Sequence, residues 1–145
     1  MSPGIHVLCI DDDPHYRELT ATVLERRDDD LVVTTAETGR EVLAIVDGEC
    51  DTDPDHGIDC VVSDYDMPGM DGLELFAAMQ NRNLDVPFIL FTGVRSAEIA
   101  DEVISAGVTD YVRKGTGTGQ YDELAARIET AVESHRADRE SDRVR

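Results

Sequence analysis

Lysine is almost absent from this sequence: twelve of its 13 basic residues are arginine, Lys114 is the one lysine, and 32 acidic residues stand against them. The formal net charge of -19 repels phosphate backbones and anionic headgroups, so neither nucleic acid nor a membrane surface is expected as a direct partner. An acidic, lysine-poor surface instead suits high salt, where screening removes the self-repulsion it would otherwise suffer. Cysteine is scarce too. Cys9, Cys50 and Cys60 are odd in number and lack a CxxC spacing, and two of them fall in apolar stretches. They read as buried, reduced thiols rather than a metal site. No apolar run approaches a membrane span and no signal peptide precedes Ile5, which predicts a cytoplasmic protein.

What remains is a regular alternation of β-leaning apolar runs and helical stripes, enough for one domain with a sizeable core. Ile5 to Ile10 reads as a strand that stops at Asp11, Asp12 and Asp13. Asp13-Pro14 then has the form of an N-cap followed by proline at the first helical position, opening a helix to about Arg27 along Leu19, Val23 and Leu24. Leu31 to Ala36 is a second strand, and Thr38 with Glu41 forms a capping box for a helix carrying Val42, Leu43, Ile45 and Val46. Gly48 to Gly57 is polar, and its Asp51, Asp53 and Asp55 alternate as in a calcium loop. The glycine and terminal glutamate of an EF-hand are missing, so a solvated loop is expected.

Ile58 to Val62 reads as a buried strand ending on Asp64, and Pro68, Gly69 and Gly72 forbid its continuation. Asp71 with Glu74 caps a third helix along Leu73, Leu75, Phe76 and Met79, to about Arg82. Val86 to Thr92 is a fourth strand. Ser96 caps a helix containing Ile99, Val103 and Ile104 that ends at Gly107. Val108 to Arg113 is a fifth strand leading to Lys114, and Gly115, Gly117 and Gly119 form a turn before a last helix along Leu124, Ala125, Ile128 and Val132. Residues 136–145, almost without apolar side chains, read as a frayed or disordered charged tail on a domain spanning residues 1–135.

Five βα repeats predict a doubly wound, flavodoxin-like α/β fold with a parallel sheet in the order 2-1-3-4-5. In such a sheet the C-terminal ends of all strands share one edge. Asp11, Asp12, Asp64, Thr92 and Lys114 therefore converge where open α/β sheets bind ligands. Close carboxylates repel by roughly 4 kcal/mol per pair at an effective dielectric of about 20. An all-oxygen cluster suits Mg²⁺, or another divalent ion such as Mn²⁺. Metal, ammonium and hydroxyl together describe a clamp on a phosphoryl group, with a carboxylate oxygen as its acceptor.

The acidic cluster CIDDDP, the loop VVSDYDMPGMDG, Thr92 in FILFTG and Lys114 in DYVRKG, all at strand ends, resemble the response-regulator receiver domain of two-component signalling, chemotaxis regulators included. The similarity covers Ile5 to Val132, and together with the composition it suggests a halophilic archaeal source. The resemblance implies that Asp64 is the phosphoacceptor, charged from the phosphohistidine of a histidine kinase or phosphotransfer protein. It implies that Asp12 is a direct Mg²⁺ ligand and that Asp11 acts largely through metal-bound water. Asp66 would lend its backbone carbonyl to the metal. Lys114 and Thr92 would hold the phosphoryl oxygens, and Thr92 with Tyr111 would form a switch that alters the face of helix four, strand five and helix five toward a protein target or a second copy of the chain. The protein would then catalyse its own phosphorylation and dephosphorylation and would not be an enzyme acting on other substrates. Two departures stand out: Gly115 follows the lysine where many members have proline, and Asp66 sets an extra acid beside the site. Haloacid-dehalogenase phosphatases also use an Asp-x-Asp such as Asp64-Tyr65-Asp66, but their metal-binding acids follow the lysine, whereas Asp11 and Asp12 precede everything here. A phosphorylation-independent interaction module would have no need of all five of these site residues.

Overall fold

A computed structural model describes residues 4–27, 30–46, 58–82, 86–93, 101–103, 105–114 and 119–143. The acidic loop with Asp51, Asp53 and Asp55, together with Cys50, Ser96, Ile99, Ile104, Gly115 and Gly117, lies outside them. Strands β1 (Ile5–Ile10), β2 (Leu31–Ala36), β3 (Cys60–Ser63), β4 (Phe88–Thr92) and β5 (Asp110–Arg113) alternate with helices α1 (Pro14–Arg27), α2 (Gly39–Val46) and α3 (Gly72–Asn81). A fourth helix, α4, is described over residues 101–103 and 105–106, and α5 (Gly119–Arg143) closes the chain. All strand pairs are parallel and the sheet order is β2-β1-β3-β4-β5, the expected doubly wound arrangement.

Side chains along β1 alternate between two cores, as the period of two requires. Ile5, Val7 and Cys9 join Leu24 of α1 and Leu124, Ile128 and Val132 of α5 on one face. Leu8 and Ile10 join Val42 of α2, Leu75 and Phe76 of α3 and Val103 of α4 on the other. Sheet burial on both faces is what makes β3 and β4 read as unbroken apolar runs.

Three strands begin later than their apolar runs suggest, each for an identifiable reason. Asp59 bonds the backbone of His6 with both its N–H and its carboxylate, so the β3 ladder starts only at Cys60. Pro87 has no N–H to give, and β4 starts at Phe88. The Thr109 hydroxyl accepts the Phe88 N–H, and β5 starts at Asp110. Helix α5 runs past Arg136 to Arg143, through the stretch that reads as a charged tail. The Arg136 guanidinium is anchored there, 3.0 Å from the Gly4 carbonyl and 3.4 Å from Asp59.

Candidate functional site

The site is assembled by the turns that follow the strands. As β1 ends, the Asp11 N–H donates to the Ala36 carbonyl and the Asp11 carboxylate accepts the Asp13 N–H at 2.9 Å. Asp13 in turn accepts the His15 N–H at 2.9 Å, which is the capping role expected of it, although it also borders the cleft. Arg17, one turn into α1, reaches back to the Asp11 carbonyl at 2.9 Å and fixes this loop from its far side.

At the end of β3 the Asp64 N–H donates to the Ile10 carbonyl at 3.0 Å, so the two acidic turns lie side by side. One Asp64 oxygen accepts the Tyr65 N–H at 2.8 Å. The chain then returns quickly. Gly72 donates to the Tyr65 carbonyl at 2.9 Å, and Asp71 and Glu74 close the expected capping box at 2.8 and 3.0 Å. A Cβ on Gly72 would lie 2.6 Å from the Asp64 carbonyl oxygen and 2.7 Å from Leu90. Glycine is thus required for the helix to start this close to the acidic loop.

Thr92 ends β4 fully buried, with its hydroxyl bonded to the Asp64 carboxylate. The Lys114 N–H is tied to the Thr92 carbonyl at 2.9 Å. Its ammonium stands 2.7 Å from Asp11 and 3.5 Å from Asp64, with only 9% of the side chain exposed. Oxygens of Asp11, Asp12 and Asp64 lie within 4.8 Å of one another. The surrounding cleft, about 540 Å³, is lined by these residues together with Asp66, Thr92 and Tyr16. The cleft thus gathers Asp11, Asp12, Asp64, Asp66, Thr92 and Lys114 from four separate turns. Tyr111 stands apart, half-buried on β5 beside Leu90 in the second core.

Burial pushes the Asp64 carboxyl above its ordinary value, Lys114 opposes this, and Asp11 adds to it by like-charge repulsion. Burial pulls the Lys114 ammonium down, but its hydrogen bond to Asp11 and the charges of Asp64 and Asp11 prevail and hold it above the usual range. Cys9, under the site, is pushed up to about 12, chiefly by burial, and remains a thiol. Cys60 is likewise buried and shifted upward by burial. Three carboxylates sharing one ammonium leave negative charge in surplus, and oxygen is the only donor type they offer. The cluster therefore fits a hard divalent ion.

Three contributors escaped sequence reading. Tyr16 and Arg17 reach the site only because the Asp13 cap sets the phase of α1, and the close approach at Gly72 emerges only in three dimensions. A glycine directly after a capping Asp is the one sequence cue that pointed at it.

Comparison with known proteins decides the family. The sequence model of the response regulator receiver domain matches residues 7–129. This chain belongs to that family. The receiver domain is 33% identical over 132 residues to a protein-glutamate methylesterase/protein-glutamine glutaminase of Nocardioides, covering 90% of this chain and 34% of that protein. It is 30% identical over 127 residues to the transcriptional regulatory protein FixJ of Bradyrhizobium diazoefficiens, covering 88% of this chain and 56% of FixJ. The chain thus spans roughly a third to a half of these relatives. Among solved structures, the receiver domain of a Francisella response regulator superposes with a TM-score of 0.75 at 26% identity, over 91% of this chain and 99% of that one. The chemotaxis response regulator CheY4 of Vibrio cholerae does so with 0.67 at 28% identity, over 86% and 98%. These relatives are bacterial and lend no support to a halophilic archaeal source.

Among the described residues, no helix is long and apolar enough to cross a membrane.

Proposed function

We propose that Asp64 accepts a phosphoryl group from the phosphohistidine of a histidine kinase or phosphotransfer protein, in the cytoplasm, and that the resulting acyl phosphate changes what the domain binds. What carries the reading is the juxtaposition at Asp64: two further carboxylates, a buried ammonium at 3.5 Å and a buried hydroxyl around one accessible oxygen pair.

Asp11, Asp12 and Asp64, with the Asp66 backbone carbonyl, would hold Mg²⁺ or Mn²⁺, whose chemistry when bound is to neutralise carboxylate and phosphoryl charge. An Asp64 oxygen attacks phosphorus, the new O–P bond forms as the N–P bond to the donor histidine breaks, and the imidazole leaves with the electron pair. Lys114 turns from Asp11 toward the phosphoryl oxygens. Thr92 exchanges its bond to the carboxylate for one to a phosphoryl oxygen and so moves inward.

That movement is at the head of β4, adjacent to β5, where Tyr111 packs beside Leu90 and Asp110 is paired to Arg127 of α5 at 2.7 Å. The Tyr65 hydroxyl bonds Glu102 of α4 at 3.3 Å. A change at Asp64 can thus reach α4, β5 and α5 together, the face that would meet a protein target or a second copy of the domain.

The test is incubation with Mg²⁺ and a small donor such as phosphoramidate. A receiver labels itself once on Asp64, whereas a phosphatase turns over p-nitrophenyl phosphate repeatedly. Absence of any label would favour a phosphorylation-independent interaction module.

A further inference from the structure

The Lys114 ammonium has a neighbour besides its carboxylates. It stands 4.3 Å from the centroid of the Tyr16 ring, with the Phe91 ring at 5.8 Å. Tyr16 is half-buried, lines the cleft, and is delivered there by the Asp13 cap and the Arg17 anchor at the start of α1. At 4.3 Å a ring face attracts an ammonium, most strongly where water is largely excluded, as it is at a side chain 9% exposed.

We infer that Tyr16 is a positioning residue for Lys114, holding the ammonium over the phosphoryl site by a cation–π contact when the carboxylates are engaged elsewhere. The physical need is specific. Asp11 and Asp64 hold Lys114 in place by charge. Once a divalent ion takes those oxygens, and before a phosphoryl group has arrived to pair with the ammonium, that hold weakens, and a flexible four-carbon stem is free to swing into solvent. A ring face has no charge for the metal to neutralise. It keeps the ammonium near the site without competing with phosphoryl oxygens for its N–H donors.

This inference rests on the phosphoacceptor reading of Asp64, and its test has an arm independent of that reading. Lys114 is the sole lysine, so protein labelled with ¹³C-lysine shows a single lysine spin system. Its ε-methylene resonances should lie upfield of their position in the urea-unfolded chain, by the ring current, both without metal and with saturating Mg²⁺. They should stay upfield in Tyr16→Phe and relax toward the unfolded position in Tyr16→Leu. In the second arm, Tyr16→Leu should be labelled by phosphoramidate roughly three- to thirtyfold more slowly than the wild type, the range a cation–π contact spans. Tyr16→Phe should stay close to the wild-type rate.

An unshifted lysine resonance in the wild type would overturn the inference whether or not any variant folds. So would equal rates for the wild type and Tyr16→Leu, or a Tyr16→Phe as slow as Tyr16→Leu, which would point to the hydroxyl instead. A wild type that takes no label at all would overturn the phosphoacceptor reading, and the inference with it, even if the ring-current shift is present.

Discussion

Neutralising Asp64 separates its chemistry from its electrostatics. The carboxylate is partly buried beside Asp11, and its proton affinity is raised above the ordinary 3.8. Between that value and its native one, the folded chain binds more protons than the unfolded chain, so stability falls as pH rises through the window. In EDTA, Asp64→Asn should therefore be more stable than the wild type at pH 7, with the advantage fading below the ordinary carboxylate value. Urea denaturation across pH 3 to 7 (roughly the titration range of carboxylates) measures it, and a constant difference would contradict the assignment. Lys114 is also raised, so stability again falls as pH climbs through its window, but here it is the charged form that the fold favours: the gain is fully present below the unfolded pKa and is lost through the native one. Replacing it by Met leaves the buried Asp11 without its 2.7 Å partner and should destabilise the metal-free protein by about 3 kcal/mol. Magnesium should recover part of this by neutralising the same carboxylates, and equal denaturation curves with EDTA and with Mg²⁺ would count against a shared site. Asp66, exposed at the rim of the cleft, should tune the lifetime of the acyl phosphate. Identical decay of phosphorylated wild type and Asp66→Asn would refute that.

Helix and strand boundaries show what a sequence can and cannot disclose. β1, β2 and the start of α1 are written in local terms, an apolar run ended by Asp, a capping Asp, a proline at the first helical position, and the structure has them at the residues expected. The Thr38 box is also local, but its return bond goes one residue upstream: Thr38 accepts the Glu41 N–H, while the Glu41 carboxylate takes the N–H of Glu37. Strands β3, β4 and β5 were legible as apolar runs, yet their first residues depend on what the neighbouring strand offers. Asp59 answering His6 and Thr109 answering Phe88 are long-range matters that no window of sequence contains. The cleft itself was legible for the same reason as β1, since parallel strands bring Asp11, Asp64, Thr92 and Lys114 to one edge regardless of side-chain detail. Tyr16 was not, because a helix phase decides where it points. At this scale the acidic loop and α3 form one unit. Asp71→Ala should cost about 1 kcal/mol through the lost cap. Gly72→Ala should do more damage to function than to the cap, since its methyl group must displace the Asp64 backbone. A Gly72→Ala protein labelled at the wild-type rate would show the close approach to be incidental.

The whole molecule carries 19 net negative charges on 145 residues, and most of that charge lies outside the cleft. Self-repulsion of this size should make the domain less stable at low ionic strength than in molar KCl. Melting curves in the two solutions test that, and superimposable curves would leave the acidic surface without the high-salt role assigned to it. The same fold that spreads charge over its surface encloses two thiols between sheet and helices. In a Cys50→Ala variant, Cys9 and Cys60 should therefore ignore a disulfide reagent until the chain is unfolded. The most direct examination of the whole account is an intact-mass measurement after incubation with Mg²⁺ and phosphoramidate. The wild type should gain one phosphoryl group, in a base-labile linkage, and neither Asp64→Asn nor wild type in EDTA should gain any. A wild type that stays unlabelled, or an Asp64→Asn protein that labels as fast, would contradict it.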